Sequence, residues 1–118
     1  VQMVGKVTDA SLVEWYQHCT TLIQPSTSEG FGLTGIEALA CGAPLIASDI
    51  PVFREVYGEA AVFFDPARAQ ELVSAIKQVS TEKSSARDIQ RSQTLSRCSW
   101  DTMTDRMVTE FRSVLQQT

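Results

Sequence analysis

Short, continuously apolar runs alternate along the chain with longer segments that carry apolar residues at helical spacing. The apolar runs cover residues 1–4, 21–24, 44–47 and 61–64, and polar or turn-forming residues separate them. A strand with one face in water alternates apolar and polar side chains, whereas a strand buried on both faces of a parallel sheet is apolar throughout. We therefore predict an α/β fold, with a Rossmann-like parallel sheet of about four strands and flanking helices.

The segments between these runs carry signals for the ends of helices. A helix is expected to open at Asp9, and another is expected over residues 33–41, with Gly42 just beyond it as the C-cap. Residues 48–49 offer a capping side chain ahead of a proline in the first turn of a third helix. Asp65 is expected to cap a fourth helix. Strands and helices therefore alternate as in a doubly wound sheet.

The last third of the chain has no strand pattern. We interpret residues 81–118 as C-terminal helices: a polar helix over residues 82–98 and an amphipathic helix over residues 100–117. The apolar stripe of the last helix is expected to face inward, and it consists of Met103, Met107, Val108, Phe111 and Leu115.

Length and composition bound the possible functions. The 118 residues suffice for one hydrophobic core, and because an apolar run opens the chain without a start Met, we interpret residues 1–118 as a single partial domain. A net charge of -4 with scattered Lys and Arg argues against a nucleic-acid partner. Three widely spaced cysteines favour a reduced, cytoplasmic setting over a disulfide framework. The sequence shows neither a transmembrane segment nor a signal peptide.

The loop after the second apolar run, residues 25–32, has the strongest pattern for a binding site. Ligands of open parallel sheets bind beyond the carboxyl ends of the strands, where this loop is predicted to lie. Gly30 and Gly32 lack side chains that would keep a ligand from the backbone. The amides of Leu33 and Thr34 then begin a helix, whose N-terminus attracts anions. A diphosphate would fit this arrangement.

Two carboxylates flank the same loop. Glu29 lies within it and Glu37 about one turn into the following helix. Carboxylates accept hydrogen bonds from the hydroxyl groups of sugars and riboses. No further carboxylate or His converges on them in the sequence, and His18 lies on an upstream helix, so we predict no metal site. A Gly-x-Gly turn is often only a tight structural connection. Here the turn follows a strand end, precedes a helix start and lies between two acidic residues, and this combination favours a binding site.

Residues 26–49 read SxxEGFGLxxxEALACGxPLIASD, and this string resembles the motif of two glutamates separated by seven residues in retaining GT-B glycosyltransferases, family 4 type (group 1). The resemblance extends over nearly the whole chain and implies the second half of the C-terminal, donor-binding domain. It implies that Glu37 holds the ribose hydroxyls and that Glu29 is the catalytic acidic residue at the donor sugar. The donor-binding backbone would comprise Gly30, Phe31, Gly32, Leu33 and Thr34, and Lys6 and Val7 would lie against the nucleobase.

The implied reaction is transfer of a sugar from a nucleotide-diphosphate sugar to an acceptor with retention, without a cofactor or bound metal. Family members also use an Arg and a Lys from the earlier half of the domain, and an acceptor-binding N-terminal domain. We therefore expect this chain alone to be inactive, with the N-terminal part of the enzyme or a second copy as its partner. Its expected location is cytoplasmic, and the N-terminal domain could attach the enzyme to the membrane surface. The alternative is a non-catalytic α/β binding or oligomerisation module derived from the same domain.

Overall fold

The structure, a computed structural model, describes residues 1–82 and 84–116. Strands and helices alternate in these residues until the last strand, after which only helices follow. A single 3₁₀ turn, Gly58–Ala60, precedes the third strand. The elements in chain order are α1 Asp9–His18, β1 Leu22–Gln24, α2 Leu33–Ala40, β2 Leu45–Ser48, α3 Pro51–Tyr57, β3 Ala61–Phe64, α4 Ala69–Thr81, α5 Ser84–Arg97 and α6 Trp100–Gln116.

The three strands form one parallel sheet in the order β1-β2-β3. In the middle strand, Leu45 pairs with Leu22 on one side and with Ala61 on the other. Helices connect the strands, because the chain must return to the opposite edge of the sheet before it can begin the next parallel strand. The predicted α/β class with a parallel sheet is confirmed.

The prediction of a strand at residues 1–4 is wrong. These residues have no strand structure, and the side chains of Val1 and Met3 are exposed. A run of apolar residues forms a strand only where a neighbouring strand supplies partners for its N–H and C=O groups. The ladders found within the described residues join only β1, β2 and β3, so the sheet has three strands instead of about four.

The core lies on both faces of the central strand β2. Leu45 and Ala47 belong to a cluster with Phe53 and Tyr57 of α3, whereas Ile46 belongs to another cluster. The second cluster contains Phe64, Ala75 and Val79. Successive side chains of a strand point to opposite faces, so burial on both faces explains the apolar run from Leu45 to Ala47.

Helix α2 ends at Ala40 with Cys41 as its C-cap, and Gly42, the predicted C-cap, follows with a φ of 91°. The amides of Gly42 and Ala43 donate to the carbonyls of Leu39 and Ala38, at 3.0 and 2.9 Å. This is the Schellman arrangement, which glycine adopts without the strain of a Cβ.

The two predicted side-chain caps are wrong. Ile50 is the N-cap of α3 and makes no side-chain cap, and the Asp49 carboxylate instead receives two 2.7 Å hydrogen bonds from the guanidinium of Arg54. This fork of charged donors is a stronger partner than a backbone amide. Asp65 accepts from the amide of Ala67 at 2.9 Å, in a turn that delays the start of α4 to Ala69.

The apolar stripe of α6 does not face inward, contrary to prediction. None of the described side chains of this helix is buried, and Phe111 is 65% exposed. Amphipathic spacing shows that a helix has an apolar face but carries no information on which element covers it. No helix in residues 1–82 and 84–116 is both long and apolar enough to cross a membrane.

Helix α5 holds the C-terminal end of α3. The Arg97 guanidinium donates to the carbonyls of Val56 and Glu55, at 3.0 and 3.3 Å. The Thr94 hydroxyl donates to the carbonyl of Tyr57 at 3.1 Å. The last carbonyls of a helix have no N–H partner within that helix, and these bonds supply one. They also fix the position of Tyr57.

The core assignment predicts unequal effects for two large aromatic residues. Phe53→Ala should lower the free energy of unfolding by about 3–5 kcal/mol, because Phe53 is fully buried and its loss leaves a cavity. Trp100→Ala should change it by less than about 0.5 kcal/mol, because Trp100 is 77% exposed. Urea denaturation of both variants measures this, and equal losses would contradict the assignment.

Candidate functional site

The loop of residues 25–32 leaves the sheet at its carboxyl edge, as predicted. It follows Gln24, the last residue of β1, and leads into Leu33, the first residue of α2. The hydroxyl of Ser48, at the end of β2, donates to the Gln24 carbonyl at 3.4 Å, so the ends of β1 and β2 lie together. This is the position at which open parallel sheets bind ligands.

Gly32 forms the junction between the loop and α2. It is buried, adopts a left-handed φ of 92° and is the N-cap of the helix, without a side-chain cap. Its carbonyl accepts from the amide of Gly35 at 3.1 Å and lies 2.6 Å from the hydroxyl of Tyr57. The amides of Leu33 and Thr34 precede the first hydrogen bond of the helix and therefore have no acceptor within it.

Glycine occupies several positions in this region, and the physical reason differs from one position to the next. A Cβ on Gly32 would overlap the Tyr57 hydroxyl, and one on Gly35 would lie 2.5 Å from it. Both glycines therefore make room for a buried ring on the inside of the protein, which is a reason for glycine that does not depend on a ligand. Gly30 is exposed, has no positive φ, and a Cβ there would meet nothing within 4 Å. The fold does not require glycine at position 30, so its backbone is open to contact from outside.

The two predicted carboxylates belong to this loop and helix. Glu29 is exposed in the loop, and its Oε1 accepts a 3.0 Å hydrogen bond from the hydroxyl of Ser26. Glu37 lies on α2 and is exposed as well. Both act on neighbouring tyrosines: burial raises the pKa of Tyr57 to about 12, with the charge of Glu29 adding to the effect. Burial and then the charge of Glu37 raise the pKa of Tyr16.

Glu29, Gly30 and Gly32 lie together in the loop that leads into α2. Phe31 is half-exposed and, with residues of α5 and α6, lines a groove of about 550 Å³. The predicted nucleobase residues belong to a separate segment, between Gly5 and the cap of α1, where Lys6 is exposed and Val7 is half-buried.

Within the described ranges, no group of three or more His, Cys, Asp and Glu side chains could hold a metal ion. His18 is exposed, and its Nδ1 lies 2.8 Å from the carbonyl of Glu14 on its own helix.

Tyr57 is the residue of this region that the sequence patterns do not identify. It is fully buried, its ring stacks on Phe53 with centroids 5.0 Å apart, and its hydroxyl lies 2.7 Å from Gln24 Oε1. The available signal is the spacing of Gly32 and Gly35, because two residues without side chains on one helical face leave room for a large one.

Similarity to known proteins extends well beyond the motif of residues 26–49. The sequence profile described as "Glycosyl transferases group 1" matches residues 1–94, which is most of the chain. This chain belongs to the group 1 glycosyl transferases. The family that residues 26–49 predict is thereby confirmed, and with it the assignment to a family of transferases.

Relatives of this group 1 sequence include two bacterial mannosyltransferases. "O-antigen chain mannosyltransferase B" of Escherichia coli is 30% identical over 115 residues, covering 95% of this chain and 30% of the relative. "O-antigen chain mannosyltransferase RfbU" of Salmonella typhimurium is 44% identical over 64 residues, covering 54% of this chain and 18% of the relative.

A solved structure confirms the fold implied by the resemblance. Sucrose-phosphate synthase from Thermosynechococcus elongatus superposes with a TM-score of 0.79 and 27% identity, covering 100% of this chain and 31% of the other. The GT-B, Rossmann-like assignment therefore holds. The group 1 chain spans less than a third of the length of each of these three proteins.

The packing around Tyr57 predicts opposite behaviour for two glycines. Gly35→Ala should destabilise the protein by about 1–3 kcal/mol, because overpacking against the ring outweighs the roughly 1 kcal/mol that alanine gains in a helix. Gly30→Ala should change stability by less than about 0.5 kcal/mol. Thermal and urea unfolding measure both, and a stabilised Gly35→Ala variant would show that the ring does not fill this space.

The raised pKa of Tyr57 predicts a loss of stability in alkali. Its pKa rises from 10.0 to about 12 on folding, so the folded state keeps the proton that the unfolded state has already lost. The resulting stabilisation is complete below pH 10 and disappears as the pH rises through about 12, and a two-unit shift corresponds to about 3 kcal/mol. Urea titrations between pH 9 and 12 should show a steeper decline for the wild type than for Tyr57→Phe. Parallel declines would contradict the assignment.

Proposed function

We propose that this chain is the donor-binding part of a glycosyltransferase that transfers a sugar from a nucleotide-diphosphate sugar to an acceptor, with retention of configuration. The observation that carries the proposal is the start of α2, where the amides of Leu33 and Thr34 have no acceptor in the helix. These amides follow an unobstructed Gly30 in a member of the group 1 family.

The diphosphate is assigned to this helix start. Backbone N–H groups at a helix N-terminus present partial positive charge, and they bind phosphate groups without a basic side chain. The residues assigned to donor binding are the loop and first turn, comprising Gly30, Phe31, Gly32, Leu33 and Thr34. The first turn of α2 contains no acidic residue.

The two carboxylates are assigned to hydroxyl groups on either side of the diphosphate. Glu37 would accept hydrogen bonds from the ribose and Glu29 from the donor sugar, where it would support the reacting face. Neither is buried, and ionised carboxylates can accept several hydrogen bonds. Lys6 and Val7 are assigned to the nucleobase by resemblance, and no metal or cofactor is part of the proposal.

We expect the 118-residue chain to bind a donor weakly and to turn it over poorly. Departure of a nucleoside diphosphate develops negative charge, and preorganised cations that stabilise such charge contribute several orders of magnitude to a rate. Arg97, which lines the groove beside Phe31, already donates to two backbone carbonyls of α3. The free thiols of Cys19, Cys41 and Cys98 support the proposal of a cytoplasmic setting.

Donor binding tests the proposal directly. Calorimetric titration with UDP-, GDP- and ADP-sugars, including a mannose donor because two relatives are mannosyltransferases by name, should detect binding to one class. Glu37→Gln should weaken it about tenfold or more, since a hydrogen bond to a charged group contributes about 1.5–3 kcal/mol. Glu14→Gln, which changes an exposed glutamate on α1, is the matched control and should bind normally. Flat titrations with every donor class would refute the proposal.

A further inference from the structure

A single phenol joins the two ends of the candidate donor loop. The hydroxyl of Tyr57 lies 2.7 Å from Oε1 of Gln24, the last residue of β1, and 2.6 Å from the carbonyl oxygen of Gly32, the N-cap of α2. Everything between these residues is the loop itself. The conformation of the loop therefore depends on where this hydroxyl is held.

The Tyr57 side chain is held by contacts that do not involve the loop. Its ring stacks on Phe53, its own carbonyl accepts from Thr94 of α5, and the preceding carbonyl accepts from Arg97. The residue is fully buried. The phenol is thus fixed to α3 and α5 and can act on the loop as a rigid support.

The contact with Gly32 determines where the next amide points. A trans peptide is planar, so its C=O and N–H groups point in opposite directions. The Gly32 carbonyl is directed inward to Tyr57, which turns the N–H of Leu33 away from the core, toward the exposed side of the loop. That N–H is the first of the amides assigned to the diphosphate.

We propose that Tyr57 is a positioning residue of the donor site, whose hydroxyl locks the Gly32–Leu33 peptide so that the Leu33 amide faces the diphosphate. This inference rests on the proposed function of the loop. Gly32 and Gly35 fit the same role, because a Cβ on either would displace the hydroxyl. The hydroxyl keeps its proton at neutral pH, since the ordinary pKa of 10.0 is already well above 7 and burial raises it to about 12.

Tyr57→Phe tests the inference because it removes the hydroxyl and keeps the ring. The protection of the Gly35 amide, which donates to the Gly32 carbonyl, should fall about tenfold in hydrogen exchange followed by NMR. The dissociation constant for the nucleoside diphosphate of the donor should rise about tenfold. Unchanged protection together with unchanged affinity would overturn the inference.

Two further variants separate positioning from stability. Val79→Ala removes buried apolar volume from the cluster on the other face of the sheet, and should lower the melting temperature without changing nucleotide affinity. The double variant Tyr57→Phe with Gln24→Met removes both polar partners, which should recover stability relative to Tyr57→Phe alone but leave affinity low. Affinity that follows melting temperature across all three variants would show that Tyr57 is merely structural.

The outcomes distinguish this inference from the proposed function. If the wild-type chain binds none of UDP, GDP and ADP or their sugars, the donor assignment fails, and amide protection alone then decides whether Tyr57 holds the loop. If the wild type binds and Tyr57→Phe binds equally well with equal protection, the donor assignment stands and the inference fails.

Discussion

The hydroxyl of Tyr57 meets the carbonyl oxygen of Gly32 at 2.6 Å inside the protein, and the shape of the loop beyond β1 depends on this contact. It sets the requirement for glycine at positions 32 and 35, because a Cβ at either would collide with the hydroxyl. It also holds the first peptide of α2, which starts without a side-chain cap, because the buried carbonyl of Gly32 lies against the phenol and accepts from the Gly35 amide within the helix.

The sheet and the loop are connected through the same residue. Tyr57 belongs to the cluster that buries one face of β2, together with Leu45 and Phe53. Packing of α3 on the sheet therefore brings the phenol to the carboxyl edge, and α5 holds it there through Thr94. The geometry of the loop therefore depends on how α3 packs in the core, so variants that loosen α3 should also disturb the loop.

Features that depend on local patterns and on two-sided burial could be predicted from the sequence. The parallel sheet could be predicted because β2 carries a continuous apolar run, residues 45–47, that is buried on both faces. The end of α2 could be predicted because glycine at position 42 permits a left-handed turn. The family could be predicted from residues 26–49. The positions of Glu29 and Glu37 on the loop and helix also agree with the predicted elements, whereas their roles remain proposals.

The failures share one cause, which is dependence on a partner that the local pattern does not specify. Residues 1–4 have strand composition but no strand beside them in the part described, and α6 has an apolar stripe that its neighbours leave exposed. Asp49 binds a guanidinium five residues away instead of the expected helix amide. Tyr57 contacts a loop residue 25 positions earlier, and no local pattern shows such a contact.

We propose that the loop after β1 and the start of α2 form the donor site. Mapping amide chemical-shift changes on titration with the donor nucleotide sugar tests it most directly, because it locates even weak binding residue by residue. The largest changes should fall on the amides of residues 30–34, with smaller changes along α2 toward Glu37. Saturable changes concentrated on β3 and α4, with the loop amides unmoved, would contradict it.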